Sequence, residues 1–140
     1  MGGRGTFAAG VVAPYYYEVD RNFSPDGKFH GVKVLKGIEG SNKHGLPESS
    51  HTSSAYLKMN PDGSFNTLRI YGKDHTLRLE IAYHVESTIG KGEGKVLHYH
   101  VYGEEFSKNK TGKFLRTTKR LYKKSRLYKK FKKFFKGVDV

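Results

Sequence analysis

Residues 76–84 alternate apolar and polar side chains: Leu77, Leu79, Ile81 and Tyr83 fall to one side of an extended chain, Arg78, Glu80, Ala82 and His84 to the other. Successive side chains of a strand point to opposite faces, so this segment is expected to form a strand with one face on a core. Its neighbours follow suit. Ala55 to Met59 and Phe65 to Tyr71 flank Asn60-Pro61-Asp62-Gly63, where Asp-Gly signals a hairpin, and Gly72-Lys73-Asp74 is a second tight connection. A loop carrying Gly90, Gly92 and Gly94 leads to a last strand, Val96 to Tyr102. Upstream, the aromatic run Tyr15 to Val19 and the stretch Phe29 to Leu35 have strand propensity, separated by the turn Ser24-Pro25-Asp26-Gly27. Residues 37–53, rich in Gly, Ser, Asn and Pro, read as a long loop of the kind that carries function.

The period then changes. Leu121, Leu127, Tyr128, Phe131, Phe134 and Phe135 share one helical stripe, and lysines cover the remainder. Thr117 or Thr118 is the expected N-cap and Gly137 the stop. The expected fold class is therefore α+β: an antiparallel β-meander of about four to six strands with a C-terminal basic amphipathic helix. A flexible arm over 1–13, a mainly antiparallel β domain over 14–112, and a helix over 113–137 packed on the sheet by its aromatics make up the chain.

Charge follows the same boundary. The formal net charge is +13, yet residues 1–112 carry fourteen bases against twelve acids, whereas Lys113 to Lys136 hold twelve bases and no acid. A docked helix still displays its cations, so Lys119, Arg120, Lys123, Lys124, Arg126, Lys129, Lys130 and Lys133 are the candidate nucleic-acid contacts. Phe and Tyr opposite Lys also suits an interfacial membrane helix.

Cysteine is absent, which excludes disulfides, thiolate metal sites and a Cys nucleophile. No apolar run approaches the roughly 20 residues of a bilayer-spanning helix. The N-terminal stretch lacks the charge cluster of a signal peptide, so a cytoplasmic or virion-associated location is expected rather than secretion. There is no P-loop and no Gly-x-Ser-x-Gly.

Strand alternation also says which polar residues share a face. With Leu77, Leu79, Ile81, Leu97, Tyr99, Val101, Leu68 and Ile70 on the core, the opposite face collects His84, His98, His100, Glu80, Arg69, Arg78, Lys58, Tyr56, Tyr71 and Tyr102. Metal-independent RNA cleavage needs such an inventory: a base for the 2′-hydroxyl, an acid for the leaving oxygen and a cation for the phosphorane. His84, His98 and His100 are the acid and base candidates. His51 is a loop contributor, and Lys58, Arg69 and Arg78 are the phosphate-facing cations. This reading requires no cofactor and makes RNA a more fitting partner than DNA.

The alternative is a divalent metal on His84, His98, His100 and Glu105, since alternate strand positions put two imidazoles on one side. The spacing from Gly92 through His98-Tyr99-His100 and Glu105 to Gly112 is similar to the first metal-binding motif of cupin barrels, but no second motif follows.

Gly2-Gly3-Arg4-Gly5, Lys43-His44-Gly45-Leu46-Pro47 followed by His51, Ile81-Ala82-Tyr83-His84 and Leu97-His98-Tyr99-His100 carry a resemblance covering most of the chain. The chain resembles short uncharacterised proteins of Gram-positive phages and prophages encoded near head-morphogenesis genes. Proteins of that neighbourhood often carry toxin-like domains, among them the barnase, EndoU, colicin and RelE-like ribonucleases, which set His, Lys, Arg and Tyr on an antiparallel sheet. The resemblance implies a phage-encoded nucleic-acid-binding protein, with a metal-independent endoribonuclease as its active form. The competing class is a non-enzymatic binding protein of the virion or of DNA.

Overall fold

The computed structural model describes residues 17–37, 46, 50, 53–86, 89, 92, 94–102 and 117–140. The expected arm over 1–13 lies outside them. The chain is mostly one sheet, mainly antiparallel, with a short C-terminal helix. In chain order the strands are β1 (Tyr17–Val19), β2 (Lys28–Phe29), β3 (Val32–Gly37), β4 (Ala55–Met59), β5 (Phe65–Tyr71), β6 (Leu77–Val85), β7 (Lys95–Val101) and β8 (Lys119–Arg120). Helix α1 (Arg126–Phe131) runs into a single 3₁₀ turn, Lys132–Phe134. Eight strands among the described residues exceed the expected four to six, because two short edge pieces, β2 and β8, join the six anticipated segments.

Spatial order is β1-β3-β4-β5-β6-β7-β8, with β2 also on β3. The β4–β7 meander is as expected. Asn60 N–H donates to the Ser64 carbonyl at 2.8 Å and Gly63 (φ +84°) turns the chain, closing the first hairpin. One join departs from a meander: β3 and β4 pair parallel, Lys33 opposite Tyr56 and Val34 opposite Leu57. Parallel neighbours need a long crossover rather than a hairpin, which is consistent with the length of the 38–54 connection.

Two β-bulges reset the alternation. Between Lys58–Thr67 and Met59–Phe65 the extra residue is Asn66; between Ile70–Leu79 and Tyr71–Leu77 it is Arg78. Leu77 therefore leaves the face of Leu79 and Ile81, where alternation placed it, and packs with Tyr17, Leu35, Tyr56, Tyr71 and Tyr102.

The main core lies on the other face, where Val34, Leu57, Phe65, Leu68, Ile81 and Leu97 meet Leu121, Phe134 and Phe135. The C-terminal stripe is docked as expected, but its backbone is not one long helix. Lys119–Arg120 adds an edge strand, with Tyr99 opposite Lys119 and His98 opposite Arg120. The amide of Leu121 donates to the Leu97 carbonyl at 2.9 Å. The N-cap is Ser125, whose hydroxyl accepts the Tyr128 amide at 3.1 Å, not Thr117 or Thr118. An open edge on β7 offers Lys119–Arg120 ladder bonds that a helical turn there would forgo. Among the described residues no helix is long and apolar enough to cross a membrane.

Candidate functional site

The face opposite the C-terminal segment is built as cross-strand rungs. One runs Tyr56–Arg69–Glu80–His100, the next Lys58–Thr67–Ala82–His98–Arg120. Directly opposed side chains in antiparallel strands lie within contact distance, so register alone assembles the cluster. His84, His98 and His100 converge as expected: ring centroids of His84 and His98 are 4.7 Å apart, those of His98 and His100 5.1 Å, each pair edge-on. Two of them, however, are sealed from solvent while His84 is half-exposed. His98 is 0% and His100 1% exposed.

Each imidazole is held through Nδ1. His98 Nδ1 lies 2.7 Å from the Val96 carbonyl, His84 Nδ1 2.9 Å from the Val85 carbonyl, and His100 Nδ1 3.2 Å from the Thr117 carbonyl and 3.0 Å from Thr118 Oγ1. A carbonyl only accepts, so an Nδ1 bonded to one donates, and in the neutral form of such a ring Nε2 keeps the lone pair. Burial holds the His98 pKa below the ordinary histidine value, with His84 adding to the effect, although the Val96 bond and the Glu86 and Glu80 charges pull the other way. His98 Nε2 has no hydrogen-bond partner.

Two carboxylates border the rings. Glu80 is paired: Arg69 Nε donates to its Oε1 at 2.6 Å, and Arg69 Nη1 donates to the Leu46 carbonyl at 2.7 Å. Burial opposes the guanidinium charge, but Glu80, Tyr71 and Tyr102 together outweigh it and the Arg69 pKa is raised. The second oxygen of Glu80 is 3.7 Å from His100 Nε2. Glu86 Oε2 is 3.7 Å from His98 Nε2 and 3.9 Å from His100 Nε2. One ligating atom from each of Glu86, His98 and His100 lies within 4.8 Å of the others.

The remaining expected residues divide. His51 and Glu105 lie outside the described residues. Lys58 sits half-buried on the second rung, its pKa lowered by burial. Arg69 is on the face, but its guanidinium is committed to Glu80 rather than held open for phosphate. Arg78 is not part of the cluster: as the bulged residue it turns to Asp74, donating from Nη2 at 2.8 Å. Glu86 was missed, although alternation carried two residues past His84 reaches it.

Most of the cations lie on the other side of the sheet. Lys119, Lys123, Lys124, Arg126, Lys129, Lys130 and Lys133 are exposed and Arg120 is half-buried on β8. Leu121, Phe134 and Phe135 of the same segment share a core cluster with Leu97, which alternates with His98 on β7. The sheet therefore lies between the histidines and the exposed lysines, while Arg120 stands opposite His98 on the histidine rung. Comparison of the chain with protein-family models, curated proteins and solved structures finds no match.

Proposed function

We propose that the chain binds nucleic acid through the outer surface of its C-terminal segment. One observation carries this reading: the apolar stripe of that segment is spent on the sheet, while its lysines face outward. Between Thr117 and Val138 the sequence holds ten Lys and Arg and no acid. An interfacial membrane helix needs its apolar stripe free, and here Leu121, Phe134 and Phe135 are buried. A folded, one-sign surface instead suits a phosphate backbone, where affinity comes from released counterions. The resemblance to phage head-neighbourhood proteins points to the same partner.

Fluorescence anisotropy with labelled duplex DNA and single-stranded RNA across a salt series tests this. With about five phosphate contacts, log K falls with log salt at a slope of about −4.5, or about 500-fold weaker binding from 50 to 200 mM salt. The triple variant Lys129→Gln, Lys130→Gln, Lys133→Gln reduces the slope by about 2 to 3. A slope near zero, or one unchanged in the triple variant, removes the proposal.

Metal-independent RNA cleavage is the second reading, favoured by the convergence of three imidazoles. The burial of His98 and His100, and the sheet between them and the exposed lysines, weigh against direct attack on a bound strand. Cleavage of labelled RNA in EDTA that disappears in a His98→Ala, His100→Ala double variant with an intact fold would establish it.

A further inference from the structure

We propose that Glu86, His98 and His100 form a binding site for one first-row divalent transition-metal ion, with Zn²⁺ as the reference case. His98 is 0% exposed, and its Nε2 is the one buried side-chain nitrogen or oxygen among the described residues with no hydrogen-bond partner. Buried polar atoms are nearly always satisfied, so an unsatisfied acceptor aimed into a cluster asks what it accepts from. The nearest carboxylate oxygen, Glu86 Oε2 at 3.7 Å, is too far for a hydrogen bond to it. A cation bound between the atoms answers it directly.

The rest of the geometry agrees. Metal-binding histidines donate their second ring nitrogen to a carbonyl or carboxylate, which fixes tautomer and orientation. His98 does so to Val96 and His100 to Thr117. Bonds of about 2.0–2.2 Å to a tetrahedral ion put ligand atoms roughly 3.2–3.6 Å apart. The two separations from Glu86 Oε2, 3.7 and 3.9 Å, close to that range by a few tenths of an ångström, and the third, between the two imidazoles, lies within 4.8 Å and closes by up to about 1.2 Å as the rings draw in on an ion. Glu80 is engaged by Arg69, and it is a Glu86 oxygen that lies within 4.8 Å of ligating nitrogens of both histidines, so Glu86 is the carboxylate ligand. Two imidazoles and one carboxylate suit borderline ions such as Zn²⁺, Fe²⁺ or Co²⁺ over Mg²⁺ and Ca²⁺, which prefer all-oxygen shells. Three protein ligands would leave a fourth position for water.

Full-length protein stripped with EDTA is titrated with Co²⁺ alone, then with Zn²⁺ in competition. One equivalent of Co²⁺ is expected, giving visible d–d absorption that Zn²⁺ abolishes and Mg²⁺ or Ca²⁺ does not. Glu86→Gln keeps the side-chain shape at a half-buried position; it lowers affinity at least 10-fold, and His98→Gln removes the absorption. His84→Gln retains one equivalent, because His84 lies outside the ligand set. Circular dichroism of each variant separates lost binding from lost fold. Absence of stoichiometric binding in the wild type, or binding unaltered in both folded Glu86→Gln and His98→Gln, overturns the proposal and leaves a plain His–Glu pair. Nucleic-acid affinity of Glu86→Gln stays at the wild-type value, so this site and the cationic surface fail or stand separately.

Discussion

Truncating Phe135 to Ala measures how firmly the cationic segment is held on the sheet. Phe135 is 7% exposed, with its ring 5.0 Å from the fully buried Phe65 and 5.3 Å from Tyr128. The next residue is anchored too, since the Phe65 amide donates to the Lys136 carbonyl at 2.8 Å. Core Phe→Ala changes cost about 3–5 kcal/mol in transfer and cavity terms together. That is a large share of the roughly 5–15 kcal/mol that stabilises a typical domain. With an m-value of about 2 kcal/mol/M, the urea midpoint falls by about 1.5–2.5 M at unchanged m. Tyr122→Ala is the control: at 64% exposed it stays within about 0.5 kcal/mol of wild type. A Phe135→Ala loss below about 1 kcal/mol would refute the reasoning, because it would mean that the aromatic stripe is free and available to a membrane. The same argument rules out deleting the whole segment as a binding test, since that removes Leu121, Phe134 and Phe135 from the core.

Glu80→Gln strands the buried Arg69 charge and lowers stability by about 3–5 kcal/mol in chemical denaturation. The double change Arg69→Met, Glu80→Leu recovers most of that loss, because the cost belongs to the unpaired ion. Gly27→Ala destabilises by about 2–4 kcal/mol: φ of +69° disfavours any side chain, and an added Cβ would sit 2.0 Å from Val19 Cγ1. Thermal melts check it, and a melting temperature within a degree of wild type would show that the β1–β2 connection is not confined as described.

The histidine face was legible wherever strict alternation met a tight turn. Asp62-Gly63 and Gly72–Asp74 make β4, β5 and β6 neighbours, the nine-residue 86–94 connection is short enough to set β7 beside β6, and period two then places His84, His98 and His100 together. Arg78 and Leu77 were misplaced for one reason, a single bulged residue that inverts the parity of everything before it. Bulges leave no mark in an apolar–polar pattern. Glu86 was passed over because it lies beyond the last apolar residue that defines β6, where the pattern stops but the backbone keeps its direction.

By itself, the amino-acid order determined the mainly antiparallel sheet, the docked aromatic stripe and the confinement of positive charge to one end, all of them consequences of local periodicity and composition. Tertiary structure decided the parallel β3–β4 join, the β8 edge strand, the burial of His98 and His100, and the sheet that stands between imidazoles and lysines. Those depend on which distant segments compete for the same edge or face. Pairing energy between residues far apart in sequence settles that competition, and no local pattern records it.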